Sequence, residues 1–195
     1  IYVHVPFCRS FCAYCGFYSE VAPKCRRTED MLKQNALFEG YALALEAEIK
    51  TRYKEIERVF ASSSDVNTLY IGGGTPSVPL HVFERIVRAL GRPEYREFTV
   101  EVNPEDIVER GVEYVRGLLE VGVNRISMGV QSFDDRILKW MNRRHTASQA
   151  VQAYHILEEA GARNISIDLI FGLPQMTGEL WHSTLDKALA ISSCG

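Results

Sequence analysis

Short apolar runs recur along the chain. Each is followed by a longer stretch in which apolar residues return every three or four positions. Tyr2 to Pro6 alternates and is rich in β-forming side chains, so it predicts a first strand. Asn67 to Ile71, Phe98 to Val102, Val123 to Val130 and Ile165 to Ile170 predict four more. Between them lie helical patterns. Leu37, Tyr41, Leu45, Ile49, Tyr53, Ile56 and Phe60 share one face of a long helix, which a Ser-rich stop at Ala61 to Asp65 ends. Phe83, Ile86, Val87 and Leu90 mark a second helix, closed by Gly91 and Pro93. Val112, Val115, Leu118 and Leu119 mark a third, closed by Gly122. A short helix carries Ile137, Leu138 and Met141, and a fifth opens on a capping box of Thr146 and Gln149 and ends at Gly161. Trp181, Leu185 and Leu189 mark the last. Phe7 to about Ser19 and the basic stretch Pro23 to Asp30 carry no period and predict loops.

Strands alternating with helices imply right-handed βαβ units and an α/β fold with a parallel sheet. Five units suit an incomplete barrel better than a closed eight-stranded one, with a doubly wound open sheet as the alternative. Each strand runs into an unusual residue set: cysteines, then Gly72-Gly73-Gly74, Glu101 to Pro104, Gln131, and Gly172-Leu173-Pro174. Parallel α/β sheets bind ligands at the carboxyl ends of their strands, so the polar punctuation falls where a site belongs. With 195 residues, 46% of them hydrophobic, the chain can bury the core of one domain spanning 1–195. It opens without Met and stops at Gly195 just after a helical pattern, so a piece of a longer protein is expected, with a C-terminal domain outside it.

A net charge of −3 argues against a general nucleic-acid or anionic-membrane binder, while leaving room for a local basic pocket. No apolar run is long enough to span a bilayer, and no secretory pattern precedes the first strand, so a reduced, cytoplasmic setting is expected. Five cysteines cannot all pair, and three of them, Cys8, Cys12 and Cys15, are spaced C-x3-C-x2-C. In such a setting clustered cysteines point to metal or catalysis rather than to disulfides. Thiolates suit zinc, Cu(I) or iron–sulfur clusters. Structural zinc takes four ligands, for which His4 or Cys25 would have to complete the set. Three thiolates with no obvious fourth fit a [4Fe–4S] cluster with one open iron. On spacing alone the two readings stand equal. The aromatic residues Phe7, Phe11, Tyr14, Phe17 and Tyr18 around the cysteines offer the apolar shell that tunes a cluster, and they would equally well just pack the loop.

Tyr2-Val3-His4-Val5-Pro6-Phe7-Cys8-Arg9-Ser10-Phe11-Cys12-Ala13-Tyr14-Cys15 resembles the signature of radical S-adenosylmethionine (SAM) proteins. The group it resembles contains oxygen-independent coproporphyrinogen III oxidases of the HemN type and HemW-type heme chaperones. The resemblance continues through Gly72-Gly73-Gly74-Thr75-Pro76-Ser77, Glu101-Val102-Asn103-Pro104, Asn124 to Phe133 and Ile167 to Pro174. It implies a partial (β/α)6 barrel, a [4Fe–4S] cluster on Cys8, Cys12 and Cys15, and SAM chelated to the open iron. Reductive cleavage of SAM would then yield methionine and a 5′-deoxyadenosyl radical. The positions matching SAM contacts are Tyr2, Tyr14, Gly73, Gly74, Thr75, Glu101, Gln131, Arg143 and Asp168.

Read as residues, these positions have plainer alternatives. The glycines allow close backbone approach or simply make a turn. Glu101 suits an amino or ribose hydroxyl group, or is a solvated acid. Tyr14 suits stacking on adenine. Arg143 could clamp a carboxylate, or belong with Arg144 and His145 to a basic surface turn. Asp168 stands in an apolar strand, where burial would demand a partner. His4, His81, His155 and His182 read as structural or exposed, and Cys25 and Cys194 as bystanders.

Phe17 occupies the place where HemN-type oxidases carry an additional cysteine. An aromatic there, with the basic-His pair Arg144-His145, resembles the HemW type. That resemblance implies heme as a ligand of the whole protein and an acceptor protein for it. It also implies a one-electron donor such as a flavodoxin or ferredoxin, and possible transient membrane association. The alternatives are radical decarboxylation of a porphyrinogen and, remotely, a zinc-binding structural module.

Overall fold

Strands of a parallel sheet are usually apolar on both faces, because helices cover both. Here they alternate. The computed structural model describes residues 1–23, 27–59, 67–74, 78–91 and 95–192. Five strands, Tyr2–Val5 (β1), Thr68–Gly73 (β4), Glu97–Val102 (β5), Arg125–Gln131 (β6) and Ile165–Leu169 (β7), form one parallel sheet in the order β1-β4-β5-β6-β7. Leu69, Ile71, Phe98, Val100, Ile126, Met128 and Val130 are buried on one face. The period of two places Tyr70, Glu101, Ser127 and Asp168 on the other.

Strand order equals chain order, so the sheet is singly wound. Right-handed crossovers then place successive helices on the same side. The helices Thr28–Val59 (α1), Leu80–Leu90 (α2), Pro104–Val121 (α3) and Ala147–Glu159 (α5) pack against one another in that sequence. A doubly wound sheet needs a reversal of strand order, and the observed order has none. The remaining helices are Asp135–Trp140 (α4) and Gly178–Ser192 (α6).

The strands fall where the pattern predicts them, to within two residues at each end. Thr146 accepts from the Gln149 amide at 3.2 Å and Gln149 answers to the Thr146 amide at 2.9 Å, completing the expected capping box. Gly91 and Gly122 close α2 and α3 in the left-handed conformation, at φ 63° and 110°.

Three expectations are corrected. The helix α1 begins at Thr28, inside the stretch expected to be loop, with Glu29 and Asp30 favourably placed in its first turn. The cysteine segment is not loop throughout. Phe7–Cys8 (β2) and Glu20–Val21 (β3) form a separate two-stranded parallel sheet that pins both its ends. In α6 the inward positions are Thr184, Ala188 and Ile191, while Leu189 is exposed, because the apolar residues of this helix are spread wider than one face. Phe60, Ala61 to Asp65, Pro93, Cys25 and Cys194 lie outside the described residues. Among the described residues no helix is long and apolar enough to cross a membrane.

Phe98 is fully buried on β5 with its ring edge-on to Tyr95. Phe98→Ala should therefore cost about 3–5 kcal/mol of stability in urea unfolding. A loss below about 1 kcal/mol would show that this face of the sheet is not the core.

Candidate functional site

The cysteine segment is fastened to the strand ends at several points. The Glu20 amide donates to the Pro6 carbonyl at 2.7 Å and the Ala22 amide to the Cys8 carbonyl at 2.8 Å. The Ala13 amide reaches the Met141 carbonyl at 3.0 Å, and the Asn142 side chain reaches the Phe11 carbonyl at 2.6 Å. Arg9 pairs with Asp106 at 3.2 Å and with Glu109, both in the first turns of α3. Tyr14 packs on Ile137, Leu138 and Met141 around α4. Burial pushes its hydroxyl up to about 12, and the neighbouring Cys12 contributes in the same direction. Cys8 and Cys12 are partly buried, Cys15 is exposed, and none of the three is in a disulfide.

Together they line a cavity of about 170 Å³ under the carboxyl ends of the strands. Every residue matched to a SAM contact also lines it, except Tyr2, and except Thr75, which lies outside the described residues. The glycines shape its wall. A Cβ on Gly74 would stand 2.8 Å from the Cys8 sulfur and 2.9 Å from the Phe7 carbonyl oxygen. Gly73 has φ 124°, and a Cβ there would meet the Val5 carbonyl at 2.7 Å. Glu101 braces this turn. It accepts from the Gly73 amide at 3.1 Å and from the Tyr70 hydroxyl at 2.7 Å, which puts it among partners rather than in solvent.

Gln131 ends β6 with φ 68°, an uncommon conformation for a side chain other than Gly or Asn, at an irregularity in the β6–β7 register. Such strain persists where the surroundings over-determine it, and it clusters at binding sites. Asp168 is exposed rather than buried, because it points from the edge strand β7 to the uncovered face, where Ser127 donates to it at 2.8 Å.

The expected basic turn is split. Arg143 turns inward, donating to the Asn103 side chain at 2.7 Å and the Gly129 carbonyl at 2.6 Å, with a terminal nitrogen 3.7 Å from the Cys12 sulfur. Arg144 faces Glu109 at 3.8 Å. His145 is buried, its Nε2 on the Val130 carbonyl at 3.0 Å and its Nδ1 3.4 Å from Glu105. Burial opposes ionisation of Glu105, but the His145 contact and the Arg143 charge overcome it and hold this carboxyl below its ordinary range. Neither His145 nor the Arg9 anchors Asp106 and Glu109 was read from the sequence as part of the site.

Tyr2 lines an adjoining groove with Tyr41 and Tyr53. It connects to the cavity through Tyr70, whose ring is 6.0 Å away and whose hydroxyl meets Glu101. The ring of His4 is occupied on both nitrogens, by the Tyr2 hydroxyl and the Tyr18 carbonyl, each at 2.9 Å. It is therefore not free to complete a zinc site. Among the described residues no three His, Cys, Asp or Glu side chains converge on a point suited to one metal ion. A cluster makes no such demand, since each cysteine binds a different iron. Soft donors spread around a glycine-walled cavity therefore fit a cluster better than a single ion.

A family model described as the radical SAM superfamily matches residues 2–188. The chain belongs to the radical SAM superfamily. Membership implies a [4Fe–4S] cluster and SAM. The chain is 36% identical to the heme chaperone HemW of Lactococcus lactis subsp. lactis (strain IL1403), over 97% of this chain and 45% of that protein. It is 30% identical to the oxygen-independent coproporphyrinogen III oxidase of Bradyrhizobium diazoefficiens, over 98% of this chain and 40% of that protein. Among solved structures, coproporphyrinogen III oxidase (HemN) from Escherichia coli superposes with a TM-score of 0.73 at 27% identity, over 97% of this chain and 41% of that one. The chain thus spans under half the length of these relatives.

Gly74→Ala should displace Cys8 and cut the iron retained after anaerobic reconstitution by more than half; full retention would show that the turn does not shape the cysteine segment. Glu105→Gln should cost about 1–3 kcal/mol at pH 7, because it leaves His145 facing a neutral group. The wild-type contribution is complete above the ordinary carboxyl value of 4.5 and is lost as pH falls through the lower folded value. The stability gap between the two proteins should therefore close on acidification toward pH 3. A gap constant with pH would rule out the carboxylate as its source.

Proposed function

We propose that the chain is the cluster- and SAM-binding core of a heme chaperone. Cys8, Cys12 and Cys15 each bind one iron of a [4Fe–4S] cluster and leave the fourth open to SAM. When bound, the cluster supplies one-electron chemistry on SAM. The chain's own residues shape and orient that site. The Gly73 and Gly74 backbone would lie against the methionine end of SAM, with Thr75 next in sequence, and Glu101 holds the Gly73 amide in place. Arg143 and Gln131 offer polar groups from the opposite wall, Tyr14 an aromatic face, and Asp168 an acceptor on the uncovered face. Tyr2 acts from outside the cavity, through Tyr70.

The choice of a chaperone over an oxidase rests on Phe17. Its ring is 72% exposed at the cavity rim, where oxidases of this group carry a further cysteine. HemW proteins among the curated relatives support the same choice. Heme binding and its transfer to an acceptor protein are proposed for the whole protein, of which this chain would be the N-terminal core. A flavodoxin or ferredoxin would be the electron donor, and the setting would be the cytoplasm with transient membrane contact. Decarboxylation of coproporphyrinogen is the second reading, kept because oxidases of that type also match over nearly the whole chain.

Anaerobically reconstituted protein should carry about four irons per chain, and Cys12→Ala should abolish the cluster spectrum. Zinc in place of iron would overturn the assignment. Full-length protein given coproporphyrinogen, SAM and reductant should form no vinyl product and should bind heme stoichiometrically. Turnover to the vinyl product would establish the oxidase reading.

A further inference from the structure

Cys12 has a cation at its sulfur. A terminal nitrogen of Arg143 lies 3.7 Å from it. Arg143 is not free to swing away. Its other terminal nitrogen is committed to the Asn103 side chain and the Gly129 carbonyl. Its Nε is buried without a hydrogen-bond partner among the described residues. A guanidinium partly desolvated beside a thiolate acts through a low local dielectric, where charge interactions are strong.

We propose that Arg143 is a positioning residue that sets the reduction potential of the cluster through the Cys12 sulfur. Reduction adds one electron, taken from an external one-electron donor, and increases the negative charge on the cluster and its thiolates. Hydrogen bonds to cluster sulfurs and nearby positive charge favour the reduced state and raise the potential. The anchors on Asn103 and Gly129 hold that charge in place before any SAM is present. This role is separate from any contact between Arg143 and SAM. It rests on the cluster being held by Cys8, Cys12 and Cys15, which iron content reads independently of the potential.

The test is an EPR-monitored redox titration of anaerobically reconstituted full-length protein, with dithionite as reductant and no SAM added. Wild type is compared with Arg143→Met, Arg143→Lys and Asn103→Ala, each with iron content measured alongside. At the wild-type midpoint, Arg143→Met should lower the ratio of reduced to oxidised cluster about tenfold, which for one electron is about 59 mV. Arg143→Lys keeps the charge without the fixed fork and should fall between the two. Asn103→Ala frees the guanidinium and should shift the ratio in the same direction by less. A merely structural role would lower iron content and leave the midpoint of the loaded fraction unchanged. A fully loaded Arg143→Met protein with the wild-type midpoint overturns the proposal. If Arg143→Met does not load, unchanged midpoints in Arg143→Lys and Asn103→Ala overturn it, and lowered midpoints sustain it. Loss of the cluster in all three variants assigns Arg143 to the structure of the cysteine segment alone and also overturns it.

Discussion

A singly wound parallel sheet can be covered by its own helices on one face only. The crossovers here run in one direction, so α1, α2, α3 and α5 follow one another along the same side. The other face is free of those four helices and carries polar side chains. Tyr70, Glu101, Asp168 and the buried Thr99 and Ser127 lie on it, and the parallel register aligns their strand ends at one rim. Everything that lines the cavity hangs from that rim, either as a strand end or as a segment tied to one.

The ties are non-local. Arg9 reaches Asp106, and Asn142 reaches the Phe11 carbonyl across more than a hundred residues of sequence. Cys8 is fixed by the β2–β3 pairing and by the glycine turn, which a single Cβ at Gly74 would crowd. An ion pair with one partner 1% exposed and the other 37% exposed adds little stability by itself. Its consequence is geometric, since it lets the cysteine segment hold its shape before ligands impose one.

The repeating strands and helices were legible because each is short, periodic and bounded by glycine or a cap. The cavity wall was legible wherever a strand ended in an unusual residue, as at Gly73, Glu101 and Gln131. What stayed hidden depends on which side of the sheet a position faces. Asp168 sits among apolar neighbours and reads as buried, yet the period of two turns it to the uncovered face. Arg143, Arg144 and His145 read as one basic turn, but consecutive residues leaving a helix end point in different directions, so the three separate. Partners such as Asp106 and Val130 carry no local signal, because their role exists only once the strands are in register.

His145 shows how far these separations reach. The Val130 carbonyl can only accept, so the Nε2 facing it carries a proton. The other ring nitrogen faces a Glu105 oxygen at 3.4 Å, and the carboxyl of Glu105 is held below its ordinary range. The buried ring thus joins the first turn of α3 to the end of β6, one residue before Gln131 takes its left-handed conformation. The strained residue is held from behind by the buried contact between His145 and Glu105, while Arg143 holds the Gly129 carbonyl two residues before it. The wall of the cavity is stiff at the point where its backbone is least ordinary.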